Sequence, residues 1–256
     1  MGEVISISNG HLQAEIATLG AELVRLRDVD GRDLLWDGDP AVWAGRSPLL
    51  FPVVGRLTGG EIIVDGRTYP MPKHGIARTS RFNVDQNDEA GCQCQLVASE
   101  ATRAHYPFDF SLAVTYRLDG ETLRVTASVR NRDSVPMPAS FGFHPAFRWP
   151  LPYGSSRAAH RIEFEAAEPA PIRRLKDGLL DPVPQATPVQ GRVLALSDAL
   201  FEADALIFDQ LASRRLRYGV EGGSSLLVEF PDLPHLGIWT KPGAGFLCIE
   251  PWQGYD

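Results

Sequence analysis

The chain has 256 residues, 44% of them apolar, which suits one domain with a large core. No uninterrupted apolar run approaches the length of a bilayer span, so no membrane span is expected. The formal net charge of -7, with no Lys/Arg run, argues against nucleic acid or an anionic membrane as partner.

Period-two alternation, the signature of half-buried strands, runs from end to end. Met1-Gly2-Glu3-Val4-Ile5-Ser6 formally satisfies a myristoylation pattern, but it leads straight into the strand-like Val4-Ile5-Ser6-Ile7 before Asn9-Gly10, and lipidation is not expected. The pattern loosens to a short helical turn at Asp39 to Trp43. In Pro48 to Leu57 a single guanidinium, Arg56, follows a long apolar run. Its rigid fork suits hydroxyls, carboxylates or phosphates, though pairing with a neighbouring acid explains it equally. Ile62 and Val64 lead through Asp65-Gly66 into Thr68-Tyr69, a hairpin. Met71-Pro72-Lys73-His74-Gly75-Ile76-Ala77-Arg78 follows as a loop, with room for a ligand beside His74 and Arg78 as a neighbour. An isolated loop histidine is more often merely solvated.

Cys92 and Cys94, with Cys248, suit neither a disulfide framework nor a four-ligand zinc site, so the expectation is a reducing cytosol and no metal. Leu112, Val114, Tyr116 and Leu118 share one face, as do Leu123, Val125, Ala127 and Val129 after Asp119-Gly120-Glu121-Thr122, giving a second hairpin. His144 closes Ser140-Phe141-Gly142-Phe143 and precedes Pro145. Pro150 to Pro188 reads as long surface loops holding one strand-like piece, Ile162 to Glu165, and Asp198 to Phe208 as a second helical turn. Leu226 to Phe230 and Gly245 to Glu250 read as strands, and Glu250 precedes Pro251. The fold class is therefore all-β, a single domain of antiparallel sheets in a sandwich or barrel.

A residue before proline is pushed into extended backbone, so His144 and Glu250 should each project from a strand end, near Phe147, Trp149 and Trp252. Alone, His144 reads as well as a buried structural histidine and Glu250 as a loop cap or arginine partner. Together they are an acid and a base suited to paired proton transfer. Gly-x-Ser-x-Gly, the phosphate-cradling Gly-x-x-x-x-Gly-Lys-Ser/Thr loop and His-Glu-x-x-His are all absent, which sets aside the commonest hydrolase, nucleotide and zinc-hydrolase chemistries.

The run Leu49 to Leu57, Lys73 to Arg78, Gly142 to Phe147 and Cys248-Ile249-Glu250-Pro251-Trp252 occur in an order that resembles the aldose 1-epimerase (galactose mutarotase) family, most of all its LacX-like branch; Leu34-Leu35-Trp36 followed by Trp43 fits too. The resemblance implies a galactose mutarotase-like β-supersandwich. It implies His144 as general acid, Glu250 as general base, and Arg56, His74, Asp209, Arg78 and Trp252 against the sugar. The implied reaction interconverts the anomers of an aldose by ring opening and reclosure, with no cofactor, the two groups acting from opposite sides of the hemiacetal and the carboxylate favouring a protonated imidazole. A hexose-6-phosphate mutarotase, with Arg78 and Arg81 on the phosphate, and a non-catalytic sugar-binding protein are the alternatives. The family usually continues for tens of residues beyond the glutamate, so this chain is expected either to lack that extension or to close the sandwich with another element; a sheet edge is left open if the missing strand is needed. Oligomeric state is not legible.

Overall fold

The computed structural model describes residues 3–255; Met1 and Gly2, and with them the start of the lipidation pattern, lie outside the described residues. Strands form where alternation requires them. β1 (Val4–Ser8), β2 (Gln13–Ala17) and β3 (Glu22–Arg27) make one antiparallel sheet, and β4 (Leu49–Leu50) follows. β5 (Glu61–Val64) and β6 (Arg67–Pro70) are the hairpin around Asp65-Gly66. β7 (Asn83–Asn87), β8 (Gly91–Val97), β9 (Phe110–Asp119) and β10 (Thr122–Asn131) form a four-stranded sheet in the order β10-β9-β8-β7. In it Leu112, Val114, Tyr116 and Leu118 are buried, and Leu123, Val125 and Ala127 opposite them pack on the same core.

The second half contains β11 (Phe141–Phe143), β12 (Ala146–Arg148), β13 (His160–Phe164), β14 (Leu175–Lys176), β15 (Leu179–Leu180), β16 (Val193–Ala195), β17 (Leu206–Phe208), β18 (Arg215–Val220), β19 (Ser225–Glu229), β20 (His235–Trp239) and β21 (Phe246–Gln253). Two readings change here. The strand-like piece at Ile162 to Glu165 forms β13 of a four-stranded sheet, as expected, but β14 and β15 pair as a small hairpin where Pro150 to Pro188 otherwise reads as loop. Only Asp198–Phe201 of the second expected helical turn is helical, as a 3-10 turn. Leu206, Ile207 and Phe208 are all buried and extend as β17, because a short run that is apolar throughout fits a strand covered on both faces.

The six-stranded sheet that runs β17-β20-β21-β11-β4, with β12 also on β21, positions the site. Its strands alternate between two environments. Leu49 and Phe141 face a core shared with the N-terminal sheets, and Leu206, Phe208, Leu236, Ile238, Leu247 and Ile249 face a second core with β13, β16 and β18. Leu50, Ala146, Ile207, Phe246, Cys248 and Trp252 face the other way, into two smaller clusters flanking a cleft. β21 lies between β20 and β11/β12, so the strand that carries Glu250 is internal to the sheet.

Candidate active site

Glu250 does not stand at a strand end; it lies inside β21, with Pro251 after it in the same strand. The proline is accommodated because of what lies opposite. Gly142 pairs with Trp252 and Ala146 with Cys248 in one continuous register, which sets His144 opposite Glu250. The Ile249 N–H donates to Pro145 O at 3.1 Å, so residue 251 turns its nitrogen toward the same neighbour. Having no N–H, Pro251 cannot supply the rung to Phe143. The ladder therefore stops at Gly142 and resumes at Ala146, and His144 occupies the interval. There its Nε2 lies 3.2 Å from Glu250 Oε2, with both side chains more than nine-tenths buried.

The pair forms part of the wall of a cleft of about 190 Å³, small beside the roughly 300–1,000 Å³ of drug-sized pockets. Trp252 spreads across the floor, and both flanking strands make room for it with glycine. A Cβ on Gly142 would come within 2.6 Å of Trp252 Cδ1, and one on Gly237 within 2.4 Å of its Cζ2. Trp43 stacks on the His144 ring at 5.2 Å and 28°, and Trp239 meets it edge-on at 6.0 Å. These three indoles give the cleft its aromatic surface. Phe147 and Trp149, expected beside His144, instead pack on the cores behind the sheet.

His74 reaches the cleft from its loop with a positive φ of 65°, outside the regions that side chains normally favour. The strained backbone is fixed by its contacts. The His74 N–H donates to Gly55 O at 2.7 Å, and the Gly55 N–H returns a bond to His74 Nδ1 at 3.1 Å. Accepting at Nδ1 makes Nε2 the protonated nitrogen, a donor beside the His144 ring 5.8 Å away. Gly75 closes the turn where a Cβ would lie 2.1 Å from Phe51 O.

Lys73 and Arg78 line the cleft and form no ion pair among the described residues. Arg56 is exposed and outside the lining, at the rim, with its guanidinium close to Gly178 in the β14–β15 turn. Arg81 is exposed and turns away, its guanidinium 3.4 Å from Thr18 Oγ1.

Asp209 is likewise outside the cleft lining. Its Oδ2 accepts from Arg173 Nε at 2.9 Å, so a cation 36 positions earlier already engages its carboxylate. The acid that does line the cleft is Asp204, held at a φ of 66° with its Oδ1 accepting from the Ala205 N–H at 2.7 Å. Leu175, Gly178 and Leu180 of the β14–β15 hairpin form the facing wall.

Burial dominates the protonation of the site. It pushes the Glu250 carboxyl up to about 8, opposed by the Lys73 charge. It pushes the His144 imidazole down to about 3, helped by Arg78 and Lys73, so desolvation outweighs the carboxylate influence expected to protonate this ring. His74 falls to about 2, through burial and then the charges of His144, Lys73 and Arg78. At neutral pH the His144–Glu250 pair holds one exchangeable proton between an imidazole nitrogen and a carboxylate oxygen. Such a pair can accept a proton at one end and release one at the other.

Residues 3–256 match the family described as Aldose 1-epimerase. Protein LacX (chromosomal) of Lactococcus lactis subsp. lactis is 32% identical over 262 residues, covering 98% of this chain and 87% of that protein. Among solved structures, a galactose mutarotase related enzyme from Lactobacillus acidophilus superposes with a TM-score of 0.91 at 30% identity, over 99% of this chain and 86% of its own. A galactose mutarotase-like protein from Lactobacillus casei gives 0.91 at 29% identity, over 99% and 89%. The all-β sandwich of antiparallel sheets is thus that of the galactose mutarotase-like fold.

Proposed function

The chain belongs to the aldose 1-epimerase family, and from that premise we propose that it interconverts the α and β anomers of an aldose by cofactor-independent acid–base ring opening. The observation that carries the reading is the buried 3.2 Å contact between His144 Nε2 and Glu250 Oε2 in the cleft wall. Glu250 takes the proton of the anomeric hydroxyl while His144 protonates the ring oxygen. The C1–O5 bond breaks to give the open-chain aldehyde, rotation about C1–C2 exposes the other face, and reclosure returns both protons.

The contact changes the expected approach. Two groups this close cannot bracket a sugar from opposite sides; they present one edge to the O1–C1–O5 edge of the hemiacetal. The ionic form that works, imidazolium beside carboxylate, has the same proton count as the neutral form that burial favours. Proton movement within the pair connects them, and sugar oxygens that replace lost hydration favour the ionic form. His74 Nε2 and Asp204 are placed to bond sugar hydroxyls, with the Trp252 face under the C–H side of the ring.

Anomer exchange of freshly dissolved glucose, galactose and glucose 6-phosphate, followed by polarimetry or NMR, tests the proposal. Wild type should exceed the buffer rate, and His144→Asn and Glu250→Gln should each lower kcat by about 10²- to 10⁴-fold. Sugar binding without acceleration would instead establish a binding protein.

A second reading has its own support: Lys73 and Arg78 give the cleft two cations without ion-pair partners, which suits an anionic substrate such as a hexose 6-phosphate. A higher kcat/KM for glucose 6-phosphate than for glucose, reduced by Lys73→Ala, would favour it. Within the family we assign the chain to the LacX-like branch, on 32% identity. We place it in a reducing cytosol, where its three buried free thiols remain thiols.

A further inference from the structure

We propose that His144 Nε2, Cys248 Sγ and a Glu250 carboxylate oxygen form a three-point site for a thiophilic divalent cation, Zn²⁺ being the best match, and that occupation shuts the cleft. The three donor atoms lie within 4.8 Å of one another on buried side chains. The backbone imposes the grouping. Cys248 and Glu250 are two apart on one strand and so share a face, and the ladder interval sets His144 across from them.

The donor set suits zinc. Tetrahedral bonds of roughly 2.0–2.2 Å to nitrogen and oxygen put those two ligands about 3.3–3.6 Å apart, close to the 3.2 Å between His144 and Glu250. The thiol lies within 4.8 Å of both and completes the set when its side chain closes to the roughly 3.6 Å that a Zn–S bond of about 2.3 Å requires. His144 and Glu250 both line the cleft, which gives the ion its route in, while Cys248 lies buried behind them.

Charge balance allows the ion to enter a buried site. Binding releases the proton shared by His144 and Glu250 and the proton of the Cys248 thiol, leaving one carboxylate and one thiolate against Zn²⁺. Net charge is unchanged, so Lys73 and Arg78 meet no added positive charge. A resident structural metal is a poor description, because His144 Nδ1 is buried with no acceptor, whereas metal-bound histidines usually have one. The arrangement fits reversible inhibition. That consequence rests on the catalytic reading of His144 and Glu250; the binding itself does not.

Metal-free protein is titrated with Zn²⁺ by calorimetry in two buffers of different ionisation enthalpy, and with Co²⁺ to detect a sulfur-to-cobalt charge-transfer band. Anomer exchange is measured in parallel for wild type, Cys248→Ala and Cys248→Ser. The expected result is one Zn²⁺ per chain, two protons released, and a Co²⁺–thiolate band lost in both variants. Cys248→Ala should keep wild-type exchange in chelator and need at least about tenfold more Zn²⁺ for half-inhibition. Equal inhibition of wild type and a folded variant, or no thiolate band, overturns the proposal. If the band and stoichiometry appear but wild type shows no exchange even in chelator, the cation site stands and the epimerase reading fails.

Discussion

His144 and Glu250 work as one titrating unit, and this sets the pH response of the site. The unit holds one proton between the value near 3 for His144 and that near 8 for Glu250. On the proposed mechanism, loss of this proton above about 8 leaves nothing to protonate the ring oxygen, and a second proton near 3 leaves no base. kcat/KM should therefore be level through neutral pH and fall on the alkaline side with a midpoint close to 8, as stopped-flow polarimetry would show. A midpoint near 10 would point to a lysine or tyrosine instead. Stability follows the same linkage. Glu250 has a folded pKa above its ordinary 4.5, so its contribution is full below 4.5 and declines as pH rises toward 8. Glu250→Gln should accordingly gain Tm relative to wild type at pH 9 compared with pH 5. At this scale the sequence exposed some residues and hid others. His144, Glu250, His74, Arg78 and Trp252 were legible because proline, glycine or aromatic neighbours mark them. Asp204 was not, because its role comes from a left-handed backbone that no neighbouring residue announces. Asp209 lies outside the cleft lining in a pair with Arg173, a partner too remote in the chain to be read from its neighbours.

Two elements shape the site around that pair. The first is the interrupted ladder between β21 and β11/β12, where Pro251 withholds a rung. Pro251→Ala restores an N–H and lets the strands zip through Phe143, drawing His144 out of line. With a displacement of order 1 Å, kcat should fall roughly ten- to hundredfold while Tm moves by only a few degrees. Unchanged kcat would mean that the proline is incidental to the geometry. The second element is the β14–β15 hairpin, which walls the cleft with Leu175 and Leu180. Its strands have two residues each within a proline-rich stretch, too short for alternation to register. The long strands were legible for the opposite reason: β9 and β10 offer ten residues each of clean period-two pattern.

Across the whole molecule, two large cores lie behind the six-stranded sheet, one with the N-terminal sheets and one with β13, β16 and β18. Phe147, Tyr153 and Leu226 pack against both. They couple the halves, so denaturation should be a single transition. Phe147→Ala, at a half-buried site, should cost about 2–3 kcal/mol and broaden the urea transition by letting the halves melt separately. A loss with unchanged cooperativity would show that the sheet alone joins them. The general architecture could be read from pattern, but the shared sheet could not, because β4, β11, β12 and β17 are two or three residues long and are held by pairing partners far away in the chain.

The chain has five tryptophans, and Trp43, Trp239 and Trp252 all line the cleft. Much of the intrinsic fluorescence of the protein therefore originates within contact distance of any bound sugar. A ligand that displaces water from these indoles should shift their emission, and quenching by a heavy-atom solute should weaken as the cleft fills. If a sugar binds on this floor as proposed, the same indoles make its arrival visible without a label.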